Sequence, residues 1–263
     1  MSLEIVILAA GMGKRMHSRL PKVLQLLAGR PLLFHVLQTA AALKPERIHV
    51  VLGHGAEAVE AFLAGLPEPL RALTKSCRQK EQLGTAHAVM QALPLISPQS
   101  LVLVLYGDTP LAPAALLAPL CAPGAEETAL RVLSAEHPTP YGYGRIVRDA
   151  AGELLGIVEE KDADERIRAL HEINTGIICA PAAILNQYLP RIGNHNAQGE
   201  YYLPDVLEIL RKQGEKIWAV AADDYESTLG INSRLQLSGA EKILRRRKNE
   251  QLMAEGVTLM VPD

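Results

Sequence analysis

Apolar residues along this chain gather in short unbroken runs before they settle into any longer rhythm. The segments 5–10 (Ile-Val-Ile-Leu-Ala-Ala), 48–53 (Ile-His-Val-Val-Leu-Gly) and 101–106 (Leu-Val-Leu-Val-Leu-Tyr) are each closed by glycine or a turn. Runs this short, with almost no polar alternate, read as strands buried on both faces, the condition inside a parallel sheet. Helical spacing fills the intervals at 31–43, 56–63 and 85–93, with Pro31 placed as the first helical residue. Strands separated by single helices predict βαβ units and an α/β fold with a mostly parallel central sheet flanked by helices.

The rhythm changes in the second half. Two segments either side of Asp149–Gly152, within 143–163, read as a hairpin. Residues 172–180 read as a strand, 203–212 as an amphipathic helix, and about 233–254 as a long helix. No internal repeat or low-complexity linker divides the chain, so the second half is read as elaborating the same α/β unit.

Composition narrows the function classes. A chain of 263 residues supports a sizeable core. A net charge of -2 gives no basic field for nucleic acid, and 4% aromatic residues leave few stacking platforms for bases. Cys77, Cys121 and Cys179 are widely spaced, with no CxxC pair, which predicts a reducing compartment and neither disulfide frame nor zinc site. No signal-peptide pattern opens the chain, and no apolar stretch reaches membrane-spanning length. The expectation is a cytoplasmic protein with no nucleic-acid or membrane partner.

The loop after the first strand carries the first chemical signal. Gly11 and Gly13 with Lys14, Arg15 and Lys22 follow a buried strand, where open α/β folds bind phosphates. A GxGxxG fingerprint would need glycine where Met16 stands, and a Walker loop would need Ser or Thr in place of Arg15. The loop is therefore glycine-rich and basic but of neither type. Tyr106-Gly107-Asp108 ends the third strand, and parallel strands deliver their ends to one rim, so Asp108 is placed to hold a metal that shields phosphates. An ordinary turn aspartate is the plain alternative. In Gln79–Ala88, glutamine amides offer donor and acceptor together, as a base edge demands, while Thr85 reads first as a helix cap. His35, His49 and His87 read as structural residues, and Arg245–Lys248 as a solvated helix face.

Together the segments LAAGMGKRM (8–16), LPKVL (20–24), QKEQLGTAHA (79–88), LYGDTPL (105–111), YGRI (143–146), GIVEEKDA (156–163), EINTGI (172–177), NAQGEYY (196–202) and GINSRLQLS (230–238) resemble the nucleotide-sugar pyrophosphorylases. The resemblance is nearest to the uridyltransferase domain of the bacterial bifunctional enzymes that join N-acetylglucosamine-1-phosphate to UTP. It implies a Rossmann-like nucleotidyltransferase fold with a sugar-binding lobe, a uridyltransferase domain over 1–232 and a C-terminal helical arm over 233–263. It implies transfer of a uridylyl group from UTP to N-acetylglucosamine-1-phosphate, giving UDP-N-acetylglucosamine and pyrophosphate, with Mg²⁺.

Site residues follow from the same resemblance. Leu8, Ala9, Ala10, Gly11, Gln79 and Gly84 would hold the uridine. Arg15 and Lys22 would contact the phosphates, with Gly107 beside Asp108, and Asp108 and Asn232 would hold the metal. Thr85, Tyr106, Gly144, Glu159 and Asn174 would line the sugar site. Met12, Lys14, Thr109 and His195 depart from the family pattern, none at an assigned position. The family continues into a left-handed β-helix that transfers acetyl groups and carries most trimer contacts; these 263 residues hold no hexapeptide repeats, so no acetyl transfer is expected of them. Rival readings are another nucleotide or sugar on the same fold, such as glucose-1-phosphate, and a non-catalytic nucleotide-sugar-binding module.

Overall fold

The first strand, β1 (Leu3–Ala9), is apolar on both faces, and the fold buries both: Ile5, Ile7 and Ala9 join one core, Val6 and Leu8 the other. The structure is a computed structural model that describes every residue except 123, 125–128, 197 and 263; Ala197 of the 196–202 segment and Asp263 thus lie outside the described residues. After β1 come the short antiparallel pair β2 (Leu26–Leu27) and β3 (Arg30–Pro31), then α1 (Leu32–Ala42), β4 (Arg47–Leu52), α2 (Ala56–Ala64), α3 (Glu68–Leu73) and β5 (Thr74–Arg78). Next are α4 (Thr85–Ala92), β6 (Leu101–Tyr106) and α5 (Ala114–Leu117). The second half supplies β7 (Leu130–Glu136), β8 (Arg145–Arg148), β9 (Leu154–Val158), α6 (Glu165–Arg168), β10 (Glu172–Pro181), α7 (Ala182–Tyr188), α8 (Asp205–Lys212), β11 (Ile217–Ala222) and α9 (Arg234–Ala254).

The main sheet runs β11-β7-β10-β6-β1-β4-β5, with β8 joined to β10 and β9 to β8. The pairs β6–β1, β1–β4, β4–β5 and β11–β7 are parallel; β10 runs antiparallel to both its neighbours. The sheet is therefore mixed, with mostly parallel strands flanked by helices on both faces. One core gathers under α1, α2 and α3, the other under α4, α7 and α8, while Leu27, Leu32, Leu111, Ile231 and Ala240 form a small third core beneath α9.

The order β6-β1-β4 matters most for function. The chain leaves β1 towards β4 on one side and returns to lay β6 on the other, so β1 and β6 flank a topological switch point. Open α/β folds bind ligands in the crevice outside the carboxyl ends of such strands. Register brings those ends level: Ala9 faces Leu52, and Leu8 faces Tyr106.

Two expectations are corrected. Pro31 is not the first helical residue but the cap before α1, held there because it pairs with Leu26 in the β2–β3 ribbon. Arg245–Lys248 is not merely solvated: Arg247 donates to Asp224 and to the Leu111 carbonyl, and Arg246 pairs with Glu226, fastening α9 to the body. Two of the histidines make structural contacts as read, His35 with the Leu27 carbonyl and buried His49 with Glu4.

Candidate active site

Loops leaving β1, β5 and β6 enclose a cleft of about 340 Å³ at the switch point. Its walls include Leu8, Ala9, Ala10 and Gly11 from the first loop, Gln79, Gly84 and Thr85 from the approach to α4, and Tyr106 and Asp108 beyond β6. Gly107 sits between those last two, its amide donating to the Leu8 carbonyl. Gly13 adopts a left-handed backbone (φ 59°), and a Cβ there would lie 2.7 Å from the Cβ of Lys22; glycine lets the loop fold back onto that lysine.

Lys22 is the centre of the charged rim. Its ammonium pairs with the Asp108 carboxylate and donates to Asn232 Oδ1 at 2.9 Å. The Ile231 amide donates to the Asp108 carbonyl at 2.8 Å, which brings Asn232 from far along the chain to the end of β6. A cation thus already rests on both oxygens. One carboxylate and one amide oxygen suit a hard divalent ion that keeps several waters and completes its shell from phosphates. Among the described residues no cluster of three or more His, Cys, Asp or Glu offers a protein-only cage.

A second group gathers where β8 begins, where β9 ends and on β10. The Asn174 amide donates to the Gly144 carbonyl at 2.8 Å, and Glu159 stands so close to Gly144 that an added Cβ would lie 3.0 Å from Glu159 Oε1. Burial, with the charges of Asp205 and Asp162, pushes the Glu159 carboxyl up. Tyr106 connects the two groups: burial first, then the charges of Asp108 and Glu159, raise its hydroxyl well above the usual range. Burial and the charge of Asp108 raise the Tyr143 hydroxyl in the same way, with Arg15 opposing them.

Arg145, 2% exposed, ties this lobe together. It donates to the carbonyls of Tyr143 and Leu170, the latter at 3.0 Å, and to Glu160 at 2.8 Å. Its buried charge thereby holds the residues next to Gly144 and Glu159.

Of the expected residues, Leu8 to Gly11, Lys22, Gln79, Gly84, Thr85, Tyr106 and Asp108 line the cleft, whereas Gly144, Glu159, Asn174 and Asn232 are not on its wall. Arg15 lies on the short turn 14–16, exposed and outside the cleft wall, whereas Met12 and Lys14 line that wall. Thr85 does not cap α4; Gly84 precedes the helix without a side-chain cap, and Thr85 Oγ1 accepts from the Leu203 amide at 2.9 Å. Its hydroxyl is taken by the segment after residue 200, which lies across the mouth of α4. Gln82 and Glu200 also line the cleft and were not singled out from the sequence, although both lie in quoted segments.

A profile of the MobA-like NTP transferase domain matches residues 5–173. The chain is 50% identical over 260 residues to the bifunctional protein GlmU of Cupriavidus pinatubonensis and 53% identical over 260 residues to that of Burkholderia thailandensis. Both alignments cover 99% of this chain and 56% of the relative, so the chain spans about half the length of those relatives. In fold it is similar to a UDP-glucose pyrophosphorylase solved with UDP-glucose, with a TM-score of 0.75 at 17% identity, covering 94% of this chain and 100% of that one. Among the described residues no helix is long and apolar enough to cross a membrane.

Proposed function

Since the chain belongs to the MobA-like NTP transferase domain family, we propose that it transfers a uridylyl group from UTP to N-acetylglucosamine-1-phosphate, releasing pyrophosphate and UDP-N-acetylglucosamine. The observation that carries this reading is the meeting of Lys22, Asp108 and Asn232 at the rim of a cleft whose inner wall holds Gln79 and Gly84. The choice of sugar and base follows the resemblance of the quoted segments, and the two bifunctional relatives agree with that resemblance over 99% of this chain.

Gln79 and the backbone from Leu8 to Gly11 hold the uridine, and Gly84 closes its edge. Lys22 takes the phosphates at the cleft wall, and Arg15 reaches them from the exposed turn just outside it. Asp108 and Asn232 would hold Mg²⁺, which when bound supplies positive charge against the triphosphate. Thr85, Tyr106, Gly107, Gly144, Glu159 and Asn174 orient the sugar phosphate. An oxygen of that phosphate attacks the α-phosphorus of UTP, a new P–O bond forms, and the bond to the β-phosphate oxygen breaks. The nucleophile is already anionic at neutral pH, so no general base is needed. Rate comes from in-line positioning and from charge neutralisation by residues preset around the phosphates.

A pyrophosphate-release assay with each of four NTPs against a panel of sugar-1-phosphates tests the reading. Highest kcat/KM for UTP with N-acetylglucosamine-1-phosphate is expected. Equal turnover of glucose-1-phosphate would replace the sugar assignment, and no release with any pair would remove the catalytic one.

A further inference from the structure

The base-reading wall contains a hydrogen-bond chain that reaches beyond the cleft into α4. Gln79 is 4% exposed, and its Nε2 lies 3.1 Å from the Gly84 carbonyl and 3.0 Å from His87 Nδ1. The far side of the His87 ring meets Gln91, whose Nε2 is 3.2 Å from His87 Nε2 and 3.0 Å from the His87 carbonyl.

These contacts determine which way the Gln79 amide faces. A carbonyl only accepts, so the Gln79 nitrogen, not its oxygen, must face Gly84. The same nitrogen faces His87 Nδ1, which must then accept, leaving the ring proton on Nε2. Gln91 also has its nitrogen against a carbonyl, and one neutral imidazole can accept from only one of the two amides. The buried Gln79 contact is the shorter, and Gln91 is only partly buried, so Gln91 is the partner that yields. With both Gln79 N–H groups engaged, the amide oxygen is what remains for the cleft that Gln79 lines. An acceptor there suits uracil, whose N3 carries a hydrogen, and opposes cytosine, whose N3 is itself an acceptor.

We propose that His87 is a positioning residue for base selectivity: its unprotonated Nδ1 holds the Gln79 amide with its oxygen towards the base. This rests on the uridylyl-transfer reading and adds a residue that touches neither substrate. Without that acceptor the Gly84 carbonyl alone holds the amide nitrogen, so the oxygen is aimed at the base less firmly and the discrimination against cytosine weakens.

The test compares kcat/KM for UTP and CTP, with N-acetylglucosamine-1-phosphate, in wild type, His87→Leu and His87→Asn, each checked by thermal melting. Leucine fills the space without an acceptor, whereas asparagine returns an oxygen to the position of Nδ1. The UTP-to-CTP ratio should fall by about fivefold or more in His87→Leu, the scale of one neutral hydrogen bond. It should stay near wild type in His87→Asn. An unchanged ratio in His87→Leu, or equal losses in both variants, would overturn the role of His87 while leaving uridylyl transfer intact. A wild type that shows no preference for UTP would overturn both. If His87→Leu fails to melt cooperatively, His87→Asn against His87→Ala makes the same comparison of acceptor present with acceptor absent, without a branched apolar side chain at the site.

Discussion

Gly84→Ala should damage stability and the cleft at the switch point together. Gly84 has φ 112° and ψ 177°, a backbone region essentially reserved for glycine, where other residues carry about 1–3 kcal/mol of strain. An added Cβ would lie 2.6 Å from the Tyr201 carbonyl oxygen and 2.7 Å from its nitrogen, and both are backbone atoms that cannot swing aside. Two hydrogen bonds join these segments, Tyr201 amide to Leu83 carbonyl at 2.8 Å and Ala86 amide to Tyr201 carbonyl at 2.9 Å. Relieving the clash loosens both, at about 0.5–1.5 kcal/mol each. The expected loss is about 2–6 kcal/mol, a large part of the roughly 5–15 kcal/mol that holds a typical domain. Urea denaturation at fixed m-value measures it. The Gly84 carbonyl also receives Gln79, so the folded fraction should bind UTP more weakly. A variant within about 0.5 kcal/mol of wild type, the range usual for a neutral surface change, would refute the reasoning.

Other variants probe separate parts of the account. Asp108→Asn removes the negative charge paired with Lys22 and should lower kcat by about 100- to 1,000-fold while leaving the melting temperature near wild type; steady-state kinetics at saturating Mg²⁺ reads this. Arg145→Ala leaves two carbonyls and Glu160 without their buried partner and should cost about 3–5 kcal/mol in urea denaturation, with Arg145→Lys recovering only part. Burial, with the charges of Glu208 and Asp162, pushes the Asp205 carboxyl up to about 6, so the folded protein keeps a proton that the unfolded chain has released. Stability from this group therefore falls as pH rises from about 4 to about 6, and the deficit persists above that. Asp205→Asn should melt higher than wild type at pH 8 and no higher at pH 4, and the reverse order would contradict the assigned environment.

Much of the fold was legible because β1, β4 and β6 are buried on both faces and so carry continuous apolar runs. The strands that escaped are those whose surroundings differ. β5 (Thr-Lys-Ser-Cys-Arg) lies at the sheet edge and shows its polar side chains, and β11 keeps Trp218 63% exposed at the opposite edge. β7 holds Arg131 and Ser134 among apolar residues, which hides its period. At the site, local residue chemistry suggested Asp108 and the glycine loop. Asn232, Glu159 and Asn174 came only through the resemblance, because long-range pairing brings them near, and no local spacing encodes that. Thr85 was read first as a cap because its partner, the Leu203 amide, is 118 residues away. The Gln79–His87 contact spans only eight residues, yet the sequence gives no hint which ring nitrogen would face the amide.

The most direct test of the account follows oxygen atoms through the reaction. N-acetylglucosamine-1-phosphate labelled with ¹⁸O in all its non-bridging phosphate oxygens is incubated with UTP, Mg²⁺ and the protein, and the products are analysed by mass spectrometry. Attack by the sugar phosphate on the α-phosphorus predicts UDP-N-acetylglucosamine carrying every label and pyrophosphate carrying none. Labelled pyrophosphate, or labelled sugar phosphate returned unchanged with no nucleotide sugar formed, would contradict it.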